Sequence, residues 1–251
     1  MIRVSDITIY HKCPRMCFFT NKGHNLIKEG TPGYLEGIIL KELALVYDLA
    51  FNSEDKLSIL NLELDRILKE IPVIYRNELG GIDDEMLAGA VTDVRAGLPV
   101  ICSNLSSYNG FFAGELSHNE TLQSGKFGLT GSPDRLIRTN DELMPSIIKT
   151  GNMPLNGVWR GDRLQLTAYA VLIEEKYDIP VRRGFVEYAR LGVVRETAIR
   201  RHERRNVLQI LEKIKKIRDG IMPEKPKDAP CEYCGFTGIC DVKSTLASRF
   251  F

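Results

Sequence analysis

Three of the six cysteines in this chain of 251 residues fall within positions 231–240. Cys231, Cys234 and Cys240 form a C-x2-C-x5-C pattern. Cysteines two residues apart can turn both sulfurs toward one centre, and a short loop brings up the third. A tetrahedral zinc site or an iron–sulfur cluster needs a fourth ligand. No further Cys or His occurs in residues 219–251, so the fourth comes from far along the chain. Cys13 and Cys17, in the run HKCPRMC, are the available pool. A site using one of them would fasten the two chain ends together. Thiolates suit both zinc and iron–sulfur, so spacing leaves that choice open. Cys102 stands alone in the apolar run VICSNL and reads as a core residue.

A second concentration of chemistry is basic. Residues 181–205 hold Arg182, Arg183, Arg190, Arg195, Arg200, Arg201, Arg204 and Arg205 against Glu187, Glu196 and Glu203. Lys213, Lys215, Lys216 and Arg218 continue it. Such a run suits phosphate contact, and Arg182, Arg183, Arg200, Arg201, Arg204 and Arg205 are the DNA-binding candidates. The stretch RRHERR reads as a helix N-terminal segment, where backbone N–H groups also favour phosphate. Trp159, Tyr169 and Tyr188 could stack bases of a single strand. The competing reading is a solvated face whose arginines pair with an acidic helix over 53–70.

These residues need elements to position them. Apolar spacing predicts a helix over 33–49 after a Pro-Gly break. A second helix follows Ser53 as N-cap, with Glu54 and Asp55 in its first turn and Leu57, Leu60, Leu64, Ile67 and Leu68 on one face. A third spans 83–105, kinked or interrupted at Pro99. The period then changes. Residues 111–117, 127–138 and 143–149 read as a strand meander. Residues 159–175 return to helix, 183–189 and 193–199 are strands, and 207–217 form a basic amphipathic helix. A Pro-rich connection leads into the cysteine module. The sum is a single α/β domain with a mixed sheet over 1–251. Its sub-regions are 1–30, a helical region 31–108, a core 109–218 and the module 219–251.

Composition agrees with a globular chain: 43% hydrophobic, 27% charged, with 34 basic and 33 acidic residues. A net charge of +1 names no partner. No segment reads as the roughly 20 apolar residues that span a bilayer, and the first residues lack the apolar stretch of a secretory signal. The expectation is a cytoplasmic protein with no membrane partner, in which clustered cysteines mean ligation rather than disulfides.

Several features occur in one order. Cys13, Pro14 and Arg15 come first, then Glu36 and Gly37 on a helix. Gly-Ser-Pro-Asp-Arg-Leu-Ile follows over 131–137, then a strand ending in Lys149-Thr150-Gly151. Gln165 and Tyr169 come four residues apart on a helix, and the three late cysteines last. Over nearly its whole length the chain resembles the CRISPR-associated RecB-like exonuclease family, the fourth of the core Cas families. That resemblance implies a PD-(D/E)XK nuclease core and a [4Fe–4S] cluster on Cys13, Cys231, Cys234 and Cys240, with zinc as the alternative. It also implies metal-dependent cleavage of DNA ends and a role in spacer acquisition beside the CRISPR integrase.

In this family a His and two acids hold Mg2+ or Mn2+, which polarises a phosphate and lowers the pKa of a water. A Lys two residues after the second acid offsets developing charge. The resemblance makes Asp134, Lys149, Gln165 and Tyr169 the catalytic candidates. It also exposes two departures. The family's Gly-x3-His-Glu reads Gly37-Ile38-Ile39-Leu40-Lys41-Glu42 here, and the second-acid position is Ile147. A lysine ammonium has no lone pair for a metal, so Asp134 alone would bind a divalent cation weakly. The expectation is a degenerate nuclease that binds DNA ends, with Lys41 paired to Asp134 in place of the metal. The alternatives are an active exonuclease using a migrated acid, with Glu42, Glu115 and Glu187 as candidates, and a cluster-bearing scaffold that docks a protein partner.

Overall fold

The structure, a computed structural model, describes residues 1–24, 31–76, 79, 83–108, 111, 114–139 and 142–240. The first elements are β1 (Ile2–Arg3), α1 (Val4–Lys12) and α2 (Pro14–Asn21). A helical layer follows: α3 (Pro32–Ala44), α4 (Tyr47–Phe51), α5 (Lys56–Ile74) and α6 (Asp84–Asn104). The helix expected over 33–49 is thus two helices, broken at Leu45 and Val46. The cap of α5 is Asp55 rather than Ser53: Asp55 Oδ1 accepts from the Ser58 N–H at 3.1 Å, while the Ser53 hydroxyl accepts from the Asp55 N–H. Asp83 caps α6, and Pro99 lies inside that helix without ending it.

Strands β2 (Glu115–His118), β3 (Leu122–Ser124), β4 (Leu129–Gly131), β5 (Arg135–Arg138) and β6 (Leu143–Lys149) come next. The strand expected over 127–138 is therefore two strands, separated by Ser132, Pro133 and Asp134, which belong to different sheets. The strand expected over 111–117 begins only at Glu115, and its residues 112–113 lie outside the described residues. Helix α7 (Arg160–Tyr177) crosses to β7 (Arg183–Tyr188), which returns antiparallel as β8 (Val193–Ala198). Helix α8 (Arg201–Arg218) starts six residues before the expected 207, so RRHERR is indeed its first turns. The short α9 (Thr237–Cys240) ends the described chain.

The main sheet has the order β2-β5-β6-β7-β8, with β6 and β7 parallel and the other pairs antiparallel. A smaller sheet has the order β1-β4-β3. Central strand β6 is buried along its length until Lys149, as expected for a strand covered on both faces. Leu136, Ile147 and Val186 face a core shared with α1, α7 and α8. Ile137, Met144 and Ile148 face the other core, built by α3 to α6. Gly192 turns the chain between β7 and β8 with φ +62°, and a Cβ there would lie 2.8 Å from the Ile101 carbonyl. Only glycine fits that conformation and that approach.

Among the described residues, one helix, Asp84–Tyr108, is long and apolar enough by length and composition to cross a membrane. The sequence shows no such segment as an unbroken apolar run, because Asp93, Arg95 and Pro99 interrupt it. Here Ala90, Val94, Leu98 and Ile101 pack in the α3–α6 core, and Arg95 pairs with Asp65 of α5 at 2.6 Å.

Candidate functional site

Asp134 sits where the chain passes from the small sheet to the large one. Its Oδ2 accepts the Ile148 N–H of β6 at 2.8 Å, which holds the carboxylate at the end of the central strand. Its Oδ1 lies 2.8 Å from Lys41 Nζ on α3. Gly37 makes that reach possible: a Cβ there would come 3.2 Å from Thr150 Oγ1, so α3 lies close over the end of β6. The expected Lys41–Asp134 pair is therefore present.

Lys149, the last residue of β6, points to the opposite helix. Its Nζ lies 2.8 Å from Gln165 Oε1 and 3.0 Å from Asp162 Oδ1. Asp162, Gln165 and Tyr169 share one face of α7, at the i, i+3, i+7 spacing of a helical stripe. The Tyr169 hydroxyl donates to the Ser132 carbonyl at 2.9 Å, next door to Asp134. Burial pushes the Tyr169 phenol up to about 12, against a smaller opposing effect from Gln165. It acts as a neutral strut. At the rim, Arg190 pairs with Glu36 of α3 and donates to the Thr150 carbonyl at 3.4 Å.

The constellation thus has two lysines and two aspartates, each lysine spent on one carboxylate. Their depths differ. The Asp134 and Asp162 side chains are 14% and 12% exposed, and those of Lys41 and Lys149 are 45% and 30% exposed. The lysine side chains are thus the more exposed members of both pairs. Ile147, at the position of the missing acid, is fully buried in the α7-side core. Among the described residues, no group of three His, Cys, Asp or Glu side chains is placed to hold a metal ion.

The sequence candidates for a migrated acid are engaged elsewhere. Glu42 accepts from the Tyr75 hydroxyl at 2.5 Å. Glu115 is exposed on edge strand β2, opposite Arg138. Glu187 is fully buried, 3.2 Å from Arg135 Nε, and accepts from the Ser146 hydroxyl at 2.7 Å. Burial raises its carboxyl to about 6, more than Arg135 and Ser146 lower it. Arg135 also donates to the Ala44 carbonyl at 2.5 Å, tying the strand after Asp134 to the end of the helix that carries Lys41. Asp162 is the acid the sequence reading missed. Its signal was its place three residues before Gln165 on the same helical face.

The arginine candidates divide. Arg183 pairs with Glu142 at 2.5 Å and Glu196 at 2.8 Å; Arg204 pairs with Glu174 at 2.6 Å and donates to the Val181 and Ile199 carbonyls. These partners lie on α7 and in the sheet, not on the acidic helix over 53–70. Arg182, Arg200, Arg201 and Arg205 are exposed. Of the three aromatic candidates for base stacking, Tyr169 and Tyr188 are buried and have no free face. Trp159 is 52% exposed.

At the far end of the molecule, Cys13, Cys231, Cys234 and Cys240 line one pocket with Met16, Phe19 and Phe236. Arg15 bridges its walls: it donates to the Pro223 and Cys240 carbonyls and lies 3.6 Å from the Cys240 sulfur. Cys17 lies elsewhere, in the α7-side core. Burial, with Asp6 adding to it, pushes its thiol up to about 12. Cys13 of the N-terminal segment thus lies beside the three cysteines of 231–240.

Comparison with known proteins follows this geometry. Residues 58–241 match the model of the PD-(D/E)XK nuclease superfamily. Over 251 residues, all of both chains, the protein is 24% identical to an uncharacterized protein of Archaeoglobus fulgidus. The crystal structure of a proposed exonuclease from Eubacterium rectale superposes with a TM-score of 0.56, covering 97% of this chain and 89% of that one at 12% identity. At that identity the likeness is one of fold. By the extent of the matched model, this chain belongs to the PD-(D/E)XK nuclease superfamily.

Proposed function

We propose that the protein binds DNA ends through a nuclease-type site whose metal has been replaced by a side-chain cation. One observation carries this reading: Lys41 Nζ lies 2.8 Å from Asp134 Oδ1, in the position a metal-binding His takes in the family it resembles. The pair satisfies the carboxylate without a metal, and Ile147 contributes no second strand acid. The residues present do not fit a divalent cation, so the reading routes no step through one. Lys149, steered by Gln165 and Asp162, supplies a second ammonium for phosphate. Arg182, Arg200, Arg201 and Arg205 are exposed at the opposite end of β7 from Lys149, where they would make a second, separate phosphate-contacting patch. In the resembled family the natural setting is spacer acquisition, with the CRISPR integrase as partner.

The second part of the reading is a [4Fe–4S] cluster on Cys13, Cys231, Cys234 and Cys240. Four thiols line one pocket with an arginine at its wall that suits an anionic sulfur centre, although no three of them stand at metal-holding spacing among the described residues. Zinc on the same thiolates is the alternative. Either group would join the chain ends, so its binding would contribute folding free energy.

A second reading is favoured by Asp162. It provides a second carboxylate beside Lys149, and two carboxylates plus substrate oxygens are enough for Mg2+ in other sites. On that reading the protein is a working exonuclease. One experiment separates the two: end-labelled single-stranded DNA with anaerobically purified protein, with and without Mn2+, beside Asp134→Ala and Asp162→Asn. A shifted but intact band supports the metal-free binder. Shortening that needs Mn2+ and vanishes in both variants supports the exonuclease. No shift under either condition removes the DNA reading and leaves the cysteine module as a scaffold for a protein partner.

A further inference from the structure

The loop over 151–159 leaves β6 directly after Lys149 and enters α7 three residues before Asp162, so both its ends are anchored at the phosphate-facing site. It has no regular secondary structure, yet it is held from several sides. Pro154 and Val158 are buried, and Val158 belongs to the α7-side core. Arg195 of β8 donates to three of its carbonyls, those of Pro154, Leu155 and Gly157, at 2.8, 3.3 and 2.7 Å. The Arg195 guanidinium in turn lies over the buried Tyr188 ring, 5.9 Å from its centroid. The Trp159 indole N–H donates to the Asn152 carbonyl at 2.9 Å, which fixes the ring across the loop's own base.

What this clamping presents is apolar. Leu155 is 91% exposed and Trp159 is 52% exposed. A single exposed apolar side chain is ordinary on a protein surface. Two of them on one clamped loop, which joins the strand ending in Lys149 to the helix whose Asp162 pairs that lysine, give an apolar face connected directly to a cationic site. That is the chemistry of unpaired nucleotides: a flat base beside a phosphate. A stacked duplex hides its base faces, so only a single strand or a frayed end offers them.

We infer that the 151–159 loop is a nucleobase platform, on which Trp159 stacks a base and Leu155 abuts its neighbour while Lys149 and Lys41 hold the phosphate between. The inference rests on the DNA-end reading above and names its substrate as single-stranded. Arg195 is a positioning residue here: it touches the loop and not the strand.

Trp159 is the sole tryptophan of the chain, so intrinsic tryptophan emission reports on this loop alone. The test titrates the native full-length protein with a short oligodeoxythymidylate and with an abasic strand of equal length and charge. Fluorescein anisotropy follows binding in parallel. The expected result is quenching of Trp159 by the thymidylate and none by the abasic strand. Trp159→Ala should weaken thymidylate binding about tenfold, the scale of one lost stacking contact, and leave abasic binding unchanged. Trp159→Phe should restore most of it. Leu155→Ser, at a side chain with almost no packing to lose, should weaken thymidylate binding in the same direction. If both strands bind equally and Trp159 emission stays constant, the platform is wrong while DNA binding stands. If neither strand binds, the DNA reading falls and the platform with it.

Discussion

The buried Arg135–Glu187 pair gives a prediction whose size follows from its surroundings. Both side chains are 0% exposed, and they cross-link β5 to β7 directly beneath Asp134. Removing one partner of such a pair costs about 3–5 kcal/mol, a large share of the roughly 5–15 kcal/mol that holds a typical domain folded. The two single substitutions are not equivalent. Glu187→Gln keeps the volume and an oxygen that can accept from Ser146 and Arg135, and it matches the uncharged carboxyl that burial already favours. Arg135→Met removes the donor to the Ala44 carbonyl and the charge facing Glu187, whose carboxyl, already raised to about 6, rises further and must take up a proton to stay buried. The expected order of loss is therefore Arg135→Met largest, at about 3–5 kcal/mol, and Glu187→Gln under about 1 kcal/mol. Urea unfolding at neutral pH reads both. A loss above about 3 kcal/mol for Glu187→Gln, or the reverse order of the singles, would refute the reasoning.

The same group sets a pH dependence. The Glu187 carboxyl is raised from 4.5 to about 6 in the folded protein. The folded state then holds a proton that the unfolded state has released across that window. Stability from this group is present below 4.5 and lost as pH rises through about 6, by about 2 kcal/mol in all. In Glu187→Gln that loss between pH 4.5 and 6 should vanish. A slope that survives the substitution assigns it to other carboxyls.

Two further outcomes test the site and the cysteine pocket. Lys41→His removes the ammonium from Asp134 and supplies a lone pair, so calorimetry should detect Mn2+ binding that the native protein lacks; no gain would mean that Lys41 is not what excludes the metal. Cys231→Ala should lose visible absorbance, bound iron and thermal stability together, whereas Cys17→Ala should keep the iron because Cys17 lies outside the pocket. Equal iron loss in both variants would mean that Cys17 also supports the iron, against the pocket reading.

How much of this was legible in the sequence differs by kind of signal. The order of helices, meander, crossover helix and final hairpin followed from periodicity, because each long element buries one face. The helix break at Leu45 and Val46 was not legible, since the apolar run passes through it without a glycine or proline. Nor was the split of 127–138 into two strands. The run reads as one strand, and only the second sheet, with β1 from the far N-terminus pairing β4, pulls its first half away. Sequence-local reading has no access to a partner more than a hundred residues off. Asp55 capping in place of Ser53 shows a milder limit: either residue can cap, and packing of the first turn decides.

The site shows the same division, and its physical cause is charge balance. Lys41 and Ile147 were visible as departures from a pattern, and a lysine facing an aspartate suggested a pair. Asp162 was invisible because it belongs to no motif; it becomes meaningful once Lys149 is seen to reach it at 3.0 Å. Without Asp162, Lys149 would lack a carboxylate partner. With it, each lysine has its own acid: Asp134 on the loop before β5 for Lys41, and Asp162 on α7 for Lys149. A phosphate entering such a site need not displace a metal or a water shell held by one. It must draw two half-exposed lysines away from two sunken aspartates, a balance that falls toward the aspartates as salt rises. Binding here should therefore be more salt-sensitive than metal-dependent, and raising salt should release DNA from the native protein while a chelator leaves it bound.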